Sequence, residues 1–329
     1  MLDNRTVSSP PLPGVLPPFT ELEAAVLRTL LYADIFDYPL TAAEAHHFLI
    51  ETQAALPEVQ TALATLSADG WVERLGGYYA LAGRAELALL RQSRQRHSTE
   101  LKQKMRWWGY WLGCLPFVRM AAVTGALAMA NAPEGDDIDL LIVTAPGRVW
   151  LARAAVVALV YAARPFGVRL CPNYVLAQSS LAQTQRDLYI AHELAQMAPL
   201  VGRAVYHAMR AANGWLRDYL PQADEPRWSE AEQLPRGLGR LFQQVSEWML
   251  SGRFGDALEA WEYRRKQRKF ACAAQTSAAA QLDAEHVKGH FNDHGQWVRA
   301  AYEARLARYG LENPSIDYMD FTENHFVSA

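Results

Sequence analysis

Two aspartates near the middle of the chain carry the strongest chemical signal in the sequence. Asp137 and Asp139 alternate with the apolar residues Ile138, Leu140 and Ile142. This alternation predicts a β-strand in which both carboxylates point to one side and the apolar side chains point to the other. Two carboxylates held on a rigid strand suit a divalent metal ion that also binds phosphate oxygens.

A glycine turn lies shortly before the two aspartates. Thr124, Gly125 and Ala126 follow an apolar run, and ten residues separate Ala126 from Asp137. The pattern predicts a strand, a tight turn that opens a short helix, a polar loop and then the aspartate-bearing strand. Backbone N–H groups at such a turn are suited to bind phosphate. The spacing therefore predicts a site for a metal ion and a phosphate group together.

The turn and the aspartates together resemble the signature of the DNA polymerase β-like nucleotidyltransferase superfamily. That signature has an apolar residue, Gly, and Gly or Ser, and then, nine to thirteen residues later, Asp-apolar-Asp-apolar. The corresponding segments here are Thr124-Gly125-Ala126 and Asp137-Ile138-Asp139-Leu140. The resemblance covers roughly residues 115 to 200. The whole chain also resembles a group of bacterial nucleotidyltransferase-domain proteins that begin with a winged-helix-like module.

The resemblance implies a chemistry for each matching position. Asp137 and Asp139 would hold one or two Mg²⁺ ions that bind the triphosphate of an NTP. Thr124, Gly125 and Ala126 would bind the nucleotide, with the backbone amides after Gly125 cradling its phosphates. A nucleoside monophosphate would then move to an unidentified small-molecule or protein acceptor, and pyrophosphate would be released.

Two positions depart from the signature. Ala126 stands where the superfamily has Gly or Ser. The later strand that carries a third carboxylate in the superfamily matches residues 168 to 176, which contain no acid, so Asn173 is the nearest polar candidate there. Glu193, on the helix that follows, is the candidate for a substitute catalytic acid. These departures leave open the alternative of a catalytically weak or inactive nucleotide-binding regulator.

The elements that must position these residues indicate an α+β protein of several domains. The sequence predicts a flexible, proline-rich tail at 1–19, a winged-helix-like domain at 20–84 and a basic linker helix at 85–114. A nucleotidyltransferase-like α/β domain follows at 115–220, and a helical region at 221–329. Strands are predicted at 117–123, 138–143 and 168–176. Helices of the last two domains are predicted at 148–164, 181–197, 200–220, 228–250, 257–275 and 296–309.

The first folded domain is predicted from its helix starts and its hairpin. Thr20 and Thr41 each precede a glutamate by three residues, which is the capping-box pattern, and Pro57 suits the first position of a third helix. A two-strand hairpin follows across 71–81. The third helix contains no Lys or Arg, and residues 1–90 have a net charge of −7. DNA affinity depends largely on neutralising phosphates, so a packing or dimerisation module is favoured over DNA binding.

Three further polar clusters have competing interpretations. Residues 91–120 have a net charge of +6, which suits either a phosphate or the acidic domain before them, and a solvated basic helix face is favoured. The basic run 264–269 could contact nucleic acid or a triphosphate, and a solvated helix face is again favoured. His290 and His294 would share a helix face as metal ligands can, although a surface turn, or a loop over the central site, is favoured.

Composition limits the compartment. The chain has 329 residues and a net charge of −3, and its three cysteines are too sparse for a disulfide framework or a zinc site, which favours a reducing cytoplasm. The N-terminus has no signal-peptide pattern. The most apolar run, Val149 to Ala163, contains Arg153 and is too short to cross a bilayer, so no membrane partner is expected.

Overall fold

The computed structural model describes residues 19–226, 232–274, 282–288 and 294–311. It is a mixed α/β protein, which confirms the predicted α+β class. Its helices are α1 Glu21–Asp34, α2 Ala42–His47, α3 Leu56–Ala68, α4 Leu87–Cys114, α5 Gly125–Ala128, α6 Val149–Ala163, α7 Leu188–Gln196, α8 Arg203–Ala212, α9 Leu216–Tyr219, α10 Gly237–Met249, α11 Gly252–Ala274 and α12 His294–Arg308. Its strands are β1 Val72–Leu75, β2 Tyr78–Leu81, β3 Val118–Val123, β4 Ile138–Thr144, β5 Leu170–Ala177, β6 Ala198–Val201 and β7 His286–Lys288.

The N-terminal unit contains α1, α2, α3 and the β1–β2 hairpin. Thr20 and Thr41 begin α1 and α2 with complete capping boxes, as predicted. Each threonine hydroxyl accepts a backbone N–H while the glutamate three residues later accepts the threonine's own N–H, so the first helical turns keep few unsatisfied donors. A single antiparallel bridge between Leu40 and Tyr79 adds the segment before α2 to the hairpin.

A five-stranded sheet in the order β6-β3-β4-β5-β7 forms the centre of the molecule. Strands β3 and β4 are antiparallel, whereas β4 and β5 are parallel and joined by α6. Ile138, Leu140 and Ile142 pack under α4 and α6 on one face of the sheet. Leu141 and Val143 pack on the opposite face, against α7 and α8. The predicted alternation is therefore confirmed for the apolar residues of β4, whereas Asp137 lies just before the strand begins.

Two of the predicted helices were wrong in extent. The helix predicted at 181–197 begins only at Leu188, because the Asp187 carboxylate accepts the N–H of Ile190 and caps it there. The helix predicted at 200–220 is instead the strand β6 followed by α8 and α9. Gly202 separates them with a left-handed φ of +81°, and a Cβ atom there would lie 2.0 Å from the carbonyl oxygen of Arg119. Only glycine allows this close approach to β3.

The region after 220 also differs from its prediction. The helix predicted at 228–250 begins at Gly237, since residues 232–236 are not helical and 227–231 lie outside the described residues. The strand β7 was not predicted at all. It is three residues long, pairs with the edge of β5 and carries no strong β pattern of its own. Its position depends on a partner more than a hundred residues earlier, which local propensity does not encode.

The basic linker helix α4 forms a buried ion pair with the acidic N-terminal unit. Arg91 is buried, forms an ion pair of 2.9 Å with Glu44 of α2, and stacks 3.9 Å above the ring of Tyr38. Its guanidinium also donates to the carbonyl oxygens of Met129 and Ala130, at 3.2 Å each. Arg91 therefore does not lie on the solvated basic face predicted for this helix. Its charge attaches the N-terminal unit to the loop between the glycine turn and β4.

One helix with its following turn, Val149–Phe166, is long and apolar enough by composition to cross a membrane. It is three residues longer than the run judged too short from the sequence. In the structure α6 packs against the central sheet through buried side chains such as Trp150 and Val156. A helix that packs against the sheet of an α/β layer can have the same composition. In this protein 39% of the segment is buried.

Candidate active site

The glycine turn and the second aspartate are in direct contact. Gly125 has a left-handed φ of +61°, and a Cβ atom at this position would lie 2.8 Å from Oδ2 of Asp139. The N–H of Thr124 donates to the carbonyl oxygen of Asp139 at 3.0 Å. Glycine is therefore required here by backbone conformation and also by the carboxylate that lies against it. The two sequence motifs form one structural unit.

The two aspartates have different surroundings. Asp137 precedes β4, is exposed and forms an ion pair of 2.7 Å with Nε of Arg169. Asp139 is half-buried inside β4, and burial raises its pKa to about 7, helped by the negative charges of Asp136 and Asp137. A carboxylate with such a pKa binds and releases protons near neutral pH.

Cys171 is the residue of this site that the sequence did not reveal. It pairs with Asp139 across the parallel strands β4 and β5, and its thiol hydrogen-bonds the Asp139 carboxylate. Burial and the neighbouring aspartates raise the pKa of the thiol to about 11. The sequence contained one indication of this arrangement, which is Pro172, because a proline inside a central strand indicates a β-bulge. Here Pro172 and Asn173 bulge out, which places Cys171 on the same side as Tyr174.

A cleft opens beside this unit on the α7 side of the sheet. Thr124, Asn173 and Glu193 line it, together with Lys288 of β7 and His294 at the start of α12. Gly125, Ala126 and both aspartates are not among the lining residues, although Thr124 connects them to the cleft. The structure therefore brings three of the predicted site residues into one cleft and places the others next to it. Lys288 and His294 belong to the segment whose favoured interpretation was a surface turn, and His290 lies outside the described residues.

Glu193 faces this cleft from α7. Burial and the negative charge of Asp139 raise the pKa of Glu193, whereas Lys288 and a hydrogen bond from Gln196 lower it, and together they leave the pKa at about 7. Nε2 of Gln196 donates to Oε1 of Glu193 at 2.6 Å. Asp139 and Glu193 thus repel each other electrostatically across the site. A bound cation would relieve that repulsion.

The side chains around the two aspartates indicate which kind of metal binding this site could support. Among the described residues, no group of three or more His, Cys, Asp or Glu side chains is arranged to hold a metal ion. Mg²⁺, however, is commonly bound through one or two carboxylates, with water and substrate phosphates completing its shell. Asp137 and Asp139 fit that kind of binding, in which the metal arrives with a nucleotide. They do not fit a permanent metal site made of protein ligands alone.

Comparison with protein-family models, curated proteins and solved structures finds no match to this chain. The class of protein that the fold defines is a mixed α/β protein with a five-stranded sheet and a helical N-terminal unit. The functional assignment therefore depends on the motif and on the geometry of the cleft.

Proposed function

We propose that the protein is a Mg²⁺-dependent nucleotidyltransferase that moves a nucleoside monophosphate from an NTP to an acceptor hydroxyl. The observation that carries this proposal is the contact between Gly125 and the carboxylate of Asp139. In this proposal the contact joins the turn that would bind phosphate to a carboxylate that would bind the metal ion, and it lies beside the cleft lined by Thr124 and Glu193.

In the proposed reaction the acceptor oxygen attacks the α-phosphorus of the NTP. The bond from that phosphorus to the bridging oxygen breaks, and pyrophosphate leaves with the electron pair. The backbone of Thr124 to Ala126 would hold the phosphates, with Lys288 on the opposite side of the cleft. Mg²⁺, when bound, supplies positive charge that neutralises the triphosphate. Glu193 would take the acceptor's proton, since its carboxylate has a pKa of about 7 and is not one of the two that would hold Mg²⁺.

The architecture supports the same assignment. The order helix, strand, short helix, strand, helix, strand runs from α4 to β5 and contains both motifs where the resemblance expects them. We assign residues 115–220 to the nucleotidyltransferase-like core and the N-terminal unit to a winged-helix-like module. The exposed face of α3 carries no Lys or Arg, and Arg91 binds the module to the core. A packing role therefore suits the module better than DNA binding.

A second function, a nucleotide-binding regulator without turnover, is favoured by Cys171. A thiol with a raised pKa stands next to Asp139 on the neighbouring strand, where no acid is found. Thiol sulfur is a poor ligand for Mg²⁺. Asp137 is in addition paired with Arg169, which competes with a metal ion for its charge.

The thiols of Cys114 and Cys171 form no disulfide, which is consistent with the proposed cytoplasmic location.

Pyrophosphate release tests the two functions. The wild-type protein is incubated with each NTP, Mg²⁺ and a panel of hydroxyl-bearing acceptors, and NTP binding is followed in parallel by calorimetry. The Asp137→Asn/Asp139→Asn double variant should lose at least about a hundredfold in turnover. Glu193→Gln should lower turnover and remove one ionisation from the pH–rate profile.

Glu134→Gln is the matched control, because Glu134 is an exposed acid on the same loop. It should leave turnover unchanged. Binding without turnover in the wild type would favour the regulator. Equal pyrophosphate release by wild type and double variant would exclude this site as the catalytic one.

A further inference from the structure

The exposed apolar side chains of the protein are concentrated on one side. The large hydrophobic side chains that the described residues expose lie mainly in three places. These are the C-terminal half of α4, α6 with its following turn, and the segment that contains α10 and α11. The exceptions are Phe36, Leu89 and Trp297. Helices α4 and α6 cover the face of the sheet opposite the cleft, and α10 and α11 pack on top of them. The outermost layer of this side is therefore unusually apolar.

Helix α10 contacts the protein through its small and polar residues. Gly239 lies so close to α4 that a Cβ atom would be 2.6 Å from Sγ of Cys114. Gln243 donates to the carbonyl oxygen of Leu115, and Glu247 accepts the N–H of Phe117 at 2.7 Å. The large apolar side chains of α10 are left exposed, and they are Leu238, Leu241, Phe242, Val245, Trp248 and Met249. Leu238 is 83% exposed and Trp248 is 77% exposed.

Every acidic residue between 232 and 269 is bound to a partner within the protein. Glu232 accepts the N–H groups of Gly202 and Arg203, Glu247 pairs with Arg119, and Asp256 pairs with Arg148. Glu259 accepts the N–H groups of Trp150 and Leu151 at the start of α6, and Glu262 pairs with Arg265. Each acid of this segment therefore already has a hydrogen-bond or ion-pair partner.

The basic residues of the same segment are arranged differently. Six of them are exposed and have no carboxylate partner among the described residues: Arg236, Arg240, Arg253, Arg264, Arg268 and Lys269. Phe254 and Trp261 extend the exposed apolar surface onto α11, and the guanidinium of Arg265 lies 5.4 Å from the ring of Trp261. We call this surface, formed by the exposed residues of α10 and α11, the outer face. It combines an apolar stripe with unpaired positive charge.

We propose that the outer face binds the surface of an anionic phospholipid bilayer. An amphipathic helix that carries Leu, Phe and Trp beside Arg lies in the plane of such a surface, with its apolar side chains below the headgroups and its cations among the phosphates. A second copy of the chain is disfavoured as the occupant, because a symmetric contact would bring the same unpaired cations together. Binding to the bilayer surface requires no membrane-spanning helix. The expectation of no membrane partner was based only on the lack of such a helix in the sequence. The cleft, on the opposite face of the sheet, stays open to solvent.

The proposal is tested by sedimentation of the full-length protein with vesicles. Binding is expected to phosphatidylcholine vesicles that contain phosphatidylglycerol, to fall with added salt, and to be weak to phosphatidylcholine alone. Leu241→Gln/Trp248→Gln should weaken binding to the anionic vesicles by more than about tenfold, because two exposed anchors are lost. Arg240→Glu/Arg253→Glu should weaken it and reduce its salt dependence.

Matched controls come from the same protein. Leu89→Gln changes a leucine that is 74% exposed on another side, and Arg74→Glu reverses an exposed charge on the β1–β2 hairpin. Both should bind vesicles as the wild type does. All altered side chains are exposed, so thermal melting should show that each variant folds. No binding to the anionic vesicles at low salt, or equal binding by all variants, would overturn the proposal. A dimer in sedimentation velocity that is lost only in Leu241→Gln/Trp248→Gln would instead assign the outer face to a second copy.

Discussion

The two sides of the candidate site are built in different ways. On one side, Gly125 and Asp139 lie fourteen positions apart and touch through a single tight turn. On the other side, Cys171, Glu193 and Lys288 come from three separate elements, and each contributes through burial and charge. The first side is defined by sterics within one short segment. The second exists only when the whole domain is folded.

The steric side should give the largest effect when it is changed. Gly125→Ala forces a left-handed φ on alanine and places a methyl group 2.8 Å from Oδ2 of Asp139. We expect a loss of about 3 kcal/mol in the free energy of unfolding, from strain and displacement together, and loss of nucleotide binding. Denaturant unfolding and calorimetry measure the two effects.

The control for this change lies in the same loop. Gly135 also has a left-handed φ, of +78°, but a Cβ atom there would meet nothing within 4 Å. Gly135→Ala should therefore cost only about 1 kcal/mol and leave binding intact. Equal effects of the two substitutions would show that the contact with Asp139 has no special role.

The electrostatic side of the site should make the free energy of unfolding depend on pH. The pKa of Asp139 is raised from 3.8 to about 7, so the folded protein holds this proton more tightly than the unfolded chain. The folded state therefore loses stability as the pH rises from about 4 to about 7, and the loss is complete above the raised pKa. Asp139→Asn removes this group. It should be more stable than wild type by about 2 kcal/mol at pH 8, allowing for solvent screening, and close to wild type at pH 4.

The measurement is thermal or denaturant unfolding of both proteins across this pH range. Mg²⁺ with a nucleotide should stabilise the wild type at pH 8 and should have much less effect on Asp139→Asn, because the ligand binds the ionised carboxylate. If the difference in unfolding free energy between wild type and Asp139→Asn does not change with pH, the pKa of Asp139 is not raised in the folded protein.

The same contrast explains how much the sequence could predict. The capping boxes, the hairpin and the alternation along β4 depend on neighbours within a few residues, and the structure confirms them. Strand β7 and the start of α8 after Gly202 depend on contacts with β5 and β3, which local patterns do not contain. Cys171 was missed for this reason, because its importance comes from its register opposite Asp139. The charge of residues 91–120 left open a contact with the acidic segment before them, but it could not identify Arg91 and Glu44 as the pair, because they lie 47 positions apart in the sequence.

The smallest expected effect concerns that register position and decides between the two proposed functions. Cys171→Asp places a carboxylate next to Asp139, on the strand that lacks an acid, and Cys171→Ser is the control of similar size without the charge. If the missing acid is what limits turnover, Cys171→Asp should raise pyrophosphate release in the presence of Mg²⁺ by a few-fold, while Cys171→Ser should not. The new carboxylate should also destabilise the protein without Mg²⁺ by about 1 kcal/mol, since it adds to the repulsion around Asp139. If Mg²⁺ and a nucleotide do not restore the stability of Cys171→Asp, the bulge at Pro172 directs residue 171 away from the metal ion. In that case Glu193 is the acid that completes the site.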